Sequence, residues 1–174
     1  MHLDANLPQA HAQLGWVLVF RHQHDDAIAE FERAFSLNPN FIDHRFAHVV
    51  AYAGEPARAI KVLHANMRLD PFQPPIGLGY MGHAYYLLKR YAEAVATLRE
   101  YAARAPELQI AHLWRAAAHA QSGQLAEASA EAAEVLRINP SFTIEKWKCQ
   151  DVYKLSRDGE HIFDGLRKAG LPED

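Results

Sequence analysis

The 174-residue chain holds a single cysteine, Cys149, which excludes an internal disulfide framework and a thiolate metal cage. Long apolar runs are missing too. Nothing approaches the roughly 20 residues of a spanning helix, and MHLDANLPQAHAQ lacks a basic-then-apolar leader. No membrane partner is expected, and a cytoplasmic location is, with the periplasm as the alternative if a parent chain carries an upstream transmembrane helix. Charge of one sign is also lacking. Lys and Arg total 18 against 21 Asp and Glu, a formal net charge of -3. That is the opposite of the basic footprint nucleic acid requires. Gly and Pro, at 9 each, are too few for a fibrous or low-complexity chain, while 49% hydrophobic residues can furnish one globular core.

Histidine is the residue in excess, with 11 copies. Exposed histidine needs no partner, so solvated helix faces are the expected setting, with a pH-sensing cluster as the alternative.

Internal repetition organises the rest. DDAIAEFERAFSLNPN, PARAIKVLHANMRLDPF, YAEAVATLREYAARAPE and LAEASAEAAEVLRINPS echo one another. Their anchors are Ala27, Phe31 and Pro39; Ala59, Leu63 and Pro71; Ala94, Leu98 and Pro106; Ala128, Ala132 and Pro140. The anchor alanines stand 32, 35 and 34 residues apart. Upstream of each lies a second amphipathic helix: PQAHAQLGWVLVF, FIDHRFAHVVAYA, PIGLGYMGHAYYLL and QIAHLWRAAAHAQ. Pairs such as Leu14/Leu18 and Met81/Tyr85 follow the 3.6-residue period, and no segment alternates as a strand would. Asp25 is expected to cap a helix, and Pro56 and Pro75 to open helices. Gly54 and Gly123 should sit in turns, with the recurrent prolines closing each second helix. The expected fold is an all-α solenoid of antiparallel helix pairs.

The pitch, the Leu14-Gly15 and Met81-Gly82 pairs, the anchor alanines and the closing prolines together resemble tetratricopeptide repeats. The resemblance spans residues 8–141 as four repeats and implies a right-handed superhelix. Locally, the second repeat is two residues short, the third carries an extra PFQPP, and Arg115-Ala116 replaces Leu-Gly. LDAN at residues 3–6 aligns with LNPN at 37–40, so residues 1–7 read as the remnant of a preceding repeat and the chain as a fragment. Residues 142–174 read as capping helices. SFTIEKWKCQDVYKL is expected to be one helix capped by Ser141, with Ile144, Trp147 and Tyr153 facing the array, and DGEHIFDGLRKAGLPED a last short one. NPSFTIEKWK and FDGLRKAGLPED also resemble the C-terminal repeat region of class III adenylate/guanylate cyclases from alphaproteobacteria, especially rhizobia. The catalytic domain of those proteins lies far upstream, so no catalytic residue carries over.

Little else points to chemistry. Gly77-Leu78-Gly79-Tyr80-Met81-Gly82 spells GxGxxG, but prolines precede it where a dinucleotide site needs a strand, so helix packing is the better reading. His44 and His48 share a helix face, with His83 or His11 as possible third ligands to a metal. No HExxH exists, and a groove-lining pair is preferred. Asp25-Asp26 reads as a cap, and Cys149 beside Lys148 as an ordinary helix cysteine. No nucleophile–base set and no cofactor site is found.

What the fold implies is recognition. The first helix of each pair lines the concave groove, which nominates Trp16, Phe20, Phe41, His44, His48, Tyr52, Ile76, His83, Tyr86, Leu113 and Gln121. The positions that clamp chaperone tails carry Ala12, Trp16 and Phe41, with only Arg45 basic, which argues against that ligand. Ala10, Leu14 and Val17 mark a face that could bury itself in a homodimer. The sequence thus predicts a non-catalytic protein-interaction or regulatory module, from a bacterial cyclase-like signalling protein, gripping a protein or peptide segment of a partner or of its own parent chain. An oligomerisation scaffold and a His-based metal-binding domain are the rival readings.

Overall fold

A computed structural model describes residues 7–72 and 74–174. Among them are ten α-helices and no strand, so the expected all-α repeat fold is the observed one. Four helix pairs come first: α1 (Pro8–Val19) with α2 (His24–Leu37), α3 (Arg45–Tyr52) with α4 (Pro56–Leu69), α5 (Ile76–Leu87) with α6 (Tyr91–Arg104), and α7 (Gln109–Gln121) with α8 (Leu125–Ile138). The short α9 (Ile144–Lys148) and α10 (Ser156–Lys168) follow. The chain divides into two units. Unit 1 holds α1–α4 with the segment Val152–Leu155, and unit 2 holds α5–α10. LDAN lies outside the described residues.

One turn recurs four times. His22, Gly54, Lys89 and Gly123 all have positive φ, at 57°, 90°, 60° and 83°. Their spacing repeats that of the anchor alanines. Each follows the first helix of a pair, and the next residue donates its N–H back to the carbonyl five positions earlier. These bonds are Gln23 to Leu18 (3.0 Å), Glu55 to Val50 (3.0 Å), Arg90 to Tyr85 (2.9 Å) and Gln124 to His119 (2.9 Å). This is a left-handed helix stop, which satisfies orphan carbonyls and reverses the chain. Glycine signals it in the second and fourth repeats only. Histidine and lysine hold the same conformation at a steric cost.

The second helices end alike. Each stops two residues before its proline, at Leu37, Leu69, Arg104 and Ile138. The intervening Asn38, Asp70, Ala105 and Asn139 have φ between -131° and -147°, because a following proline disfavours helical geometry. The anchors Ala27, Ala59, Ala94 and Ala128 are fully buried, as are Phe31, Leu63 and Leu98. Opposite them stand small residues on the first helices. A Cβ on Gly15 would lie 2.7 Å from Phe31, and one on Gly82 would strike Leu98. The glycines of GxGxxG are buried on α5, with Gly79 against Tyr101 of α6, which makes them packing residues.

Three local expectations are corrected. Asp25 is not a cap: Gln23 holds that place without a side-chain bond, and Asp25 lies in the first turn of α2. Thr143, not Ser141, caps α9, its Oγ1 accepting from the Lys146 N–H at 3.3 Å. The helix expected through Leu155 ends at Lys148. The tertiary contacts made by Val152–Leu155 outweigh local helix propensity.

The left-handed stop makes a prediction. Gly123 has open space around its missing Cβ, so Gly123→Ala should lose about 1 kcal/mol through backbone strain alone. Lys89→Gly should be neutral or gain up to about 1 kcal/mol. Urea denaturation of the two variants measures both, and a neutral Gly123→Ala would remove the strain argument.

Candidate partner-binding groove

In unit 1 the nominated residues of α1 and α3 form a continuous aromatic row. Phe20 meets Trp16 edge-on at 5.2 Å, Trp16 faces His48 at 6.1 Å, and His48 lies on Tyr52 at 4.1 Å. The helical spacing dictates the row, since 16 and 20, like 48 and 52, are one turn apart. Arg45 is positioned beside it. Its guanidinium grips the Asp43 carboxylate at 2.6 Å, donates to Gln13 Oε1 at 2.9 Å, and stands 6.0 Å from the Trp16 ring. Phe20 is 53% exposed, Trp16 and Tyr52 are half-buried, and His48 is buried.

Phe41 and His44 are half-buried at the entry to α3. Phe41 packs on Phe35, and His44 stands 3.4 Å from the Asn66 amide nitrogen, with burial holding its pKa below the ordinary value. Among the described residues no three His, Cys, Asp or Glu side chains converge as metal ligands would. Ala10 is half-buried, whereas Leu14 and Val17 are each 45% exposed.

Val152–Leu155 lies against this unit at the ends of its first helices. The His24 Nε2–H donates to the Val152 carbonyl at 2.7 Å, and the Lys154 N–H donates to the Tyr52 carbonyl at 2.9 Å. Tyr153 extends the aromatic row, its ring edge-on to Tyr52 at 4.9 Å. The Lys154 ammonium reaches the Asp25 carboxylate at 2.6 Å and holds that carboxyl below its ordinary pKa. Leu155 sits where a Cβ on Gly54 would be.

Unit 2 treats its nominated residues differently. Ile76 is half-buried, while His83, Tyr86 and Leu113 are buried. Tyr86 and Gln121 lie under α10. The Tyr86 hydroxyl donates to the His161 carbonyl at 2.8 Å, and its ring stacks on the His161 ring at 4.9 Å. The Gln121 amide donates to the His161 carbonyl at 3.1 Å and to Asp164 at 2.8 Å, and Lys168 holds Asp164 at 2.6 Å. The Tyr91 hydroxyl stands 2.9 Å from His161 Nε2. Close approach is possible because α7 presents alanines: a Cβ on Gly165 would lie 3.0 Å from Ala117. The helix read as a terminal cap therefore lies over first-helix positions read as groove. The docking of His161 on these residues carried no sequence signal, since nothing in the repeat pattern says where a non-repeat helix docks.

The histidines correct another expectation. His24, His48, His83, His112 and His119 are buried rather than solvated. His11 and His112 occupy equivalent repeat positions and pair with Glu30 and Glu131 across their helix pairs, at 2.5 and 2.8 Å. His83, fully buried and stacked on Trp114 at 4.9 Å, has its pKa pushed down to about 3 by desolvation. Between pH 6.5 and 3 the unfolded chain therefore binds a proton at this site that the folded chain does not. Stability is lost as pH falls through that window, by up to about 1.4 kcal/mol per pH unit. His83→Phe, which keeps the ring stack, should flatten that slope in urea melts between about pH 6.5 and 4.5. An unchanged slope would show that other groups set the acid response.

Comparison with known proteins agrees with this architecture. The tetratricopeptide repeat family model matches residues 8–41 and 81–108. No curated protein sequence matches the chain. Among solved structures, MamA 41-end from Desulfovibrio magneticus RS-1 superposes with a TM-score of 0.65 at 16% identity, covering 97% of this chain and 99% of that one. TTC0263, a thermophilic TPR protein of Thermus thermophilus, gives 0.69 at 21% identity over 93% and 89%. The first TPR of Spaghetti (RPAP3), bound to the HSP90 peptide SRMEEVD, gives 0.54 at 22% identity over 63% and 86%. At these identities the likeness shows the fold. Two segments match the repeat model and four helix pairs share one turn chemistry, so the fold is that of an all-α, tetratricopeptide-like solenoid.

Proposed function

We propose that the domain is a non-catalytic protein-interaction module that grips a peptide segment on the first-helix face of unit 1. One observation carries the reading: the Phe20–Trp16–Tyr52 row with Arg45 beside it, accessible in part. Aromatic rings give large contact area at low entropic cost, and a guanidinium held by Asp43 supplies a pre-oriented donor. In the RPAP3 structure a domain of like fold holds a peptide, which supports the same use here. The likeness of FDGLRKAGLPED to cyclase repeat tails supports a regulatory role within a bacterial cyclase-like parent chain. Displayed random peptides selected on the full chain provide the test. Phe20→Ala should weaken selected binders about tenfold or more with a much smaller effect on the melting midpoint than truncating a buried aromatic, because more than half of Phe20 is exposed. Binders indifferent to Phe20 and Trp16 would place recognition elsewhere.

A second copy is the alternative occupant of the neighbouring face. Leu14, Val17 and Phe20 leave a stripe of apolar surface along α1, each between 45% and 53% exposed. Such a stripe can bury itself about a two-fold axis. Light scattering should then show concentration-dependent dimers that Ala10→Glu with Val17→Glu returns to monomer. A strict monomer at high concentration would remove this reading.

A further inference from the structure

Val152–Leu155 is non-helical, yet most of its contacts with unit 1 are those of a bound peptide. Two engage the segment's main chain: the His24 side-chain Nε2–H donates to the Val152 carbonyl, and the Lys154 N–H donates to the Tyr52 carbonyl. The side chains supply selectivity. Val152 is buried, Tyr153 closes edge-on over Tyr52, Lys154 reaches Asp25, and Leu155 fills the hollow at Gly54. That hollow is specific to the second repeat. Gly123 occupies the same turn position with nothing within 4 Å of its missing Cβ, so glycine there answers only the turn. At Gly54 the missing side chain is also the space Leu155 uses. The Asp25 side chain is 82% exposed, so its ion pair with Lys154 is screened by solvent and can be exchanged for another cation.

We propose that His24, Asp25, Tyr52 and Gly54 form a docking site for short non-helical segments of the pattern aliphatic-aromatic-basic-aliphatic. Val152–Leu155 is its resident occupant, and a partner segment of the same chemistry displaces it. The inference rests on reading unit 1 as the partner-binding element and names the chemistry it selects. Main-chain hydrogen bonds fix the depth and direction of the segment, and pockets for its side chains choose the sequence. The resident segment sits at the high effective concentration of a tethered ligand and keeps the site closed to weak competitors.

The test uses the full chain carrying Tyr153→Ala with Lys154→Ala, titrated by fluorescence anisotropy with a labelled peptide of sequence QDVYKLS. The freed site should bind the peptide saturably, and the unsubstituted chain about tenfold or more weakly. Asp25→Lys, added to the double variant, should weaken binding several-fold, and QDVAALS should not bind. Absence of saturable binding to the folded double variant, or equal binding of QDVAALS, overturns the proposal. Should the double variant not fold, hydrogen exchange on the unsubstituted chain decides: millimolar QDVYKLS should speed exchange at residues 152–155, and unchanged protection overturns it. Display-selected binders that need Phe20 while QDVYKLS fails would leave the groove reading standing and remove this one.

Discussion

No helix in the four pairs exceeds 14 residues, a length at which isolated helices are marginal in water. The structure therefore depends on the close approach of the two helices within each pair. Small residues at Gly15, Ala47, Gly82 and Ala116 stand at one repeat position, and the buried Phe31, Leu63, Leu98 and Ala132 at another. A larger residue in place of either glycine would meet its partner at less than van der Waals distance, as a Cβ on Gly15 would with Phe31. The left-handed stop between the helices serves the same contact by reversing the chain in few residues. Phasing of 32, 35 and 34 residues survives at the anchors, the turns and the small residues alike, because all three belong to one packing unit.

A repeat stack leaves its first-helix face open, and the two units use it differently. In unit 2, α10 covers the face, and its fit follows from the alanines of α7. Ala117 lets the Gly165 backbone come close, while Ile162, Phe163 and Leu166 become buried. Polar side chains then secure the position through Tyr86, Gln121 and Asp164. In unit 1 the cover is a four-residue segment, and the Trp16–Phe20 end of the row stays accessible. Access to the first-helix faces is thus set as much by the non-repeat C-terminal residues as by the repeats.

The repeats were legible because they are governed by local rules. Prolines stop helices, alanines mark contacts and the 3.6-residue period assigns faces. His22 and Lys89 hid two of the four turns, since neither residue announces a positive φ. The end of α9 was hidden for a different reason. Nothing in CQDVYKL forbids a helix; Tyr52, His24 and Gly54, roughly a hundred residues earlier, decide its conformation. Exposure on the first helices was half legible. Phe20 stays exposed, but burial of His83, Tyr86 and Leu113 depends on long-range contacts that no periodic pattern encodes.

The histidines show why composition misleads where register does not. Eleven copies suggest solvated drift, yet His11 and His112 take one repeat position and face glutamates that also share one. Such a pair costs little to bury, because the imidazole and carboxylate satisfy each other across the helix contact. His83, at a different repeat position, stacks on Trp114 and is held in the neutral form by burial. The same residue type therefore serves two purposes in one fold, bridging to a carboxylate across a helix pair and stacking in its neutral form on an indole. Position within the repeat, rather than abundance, decides which.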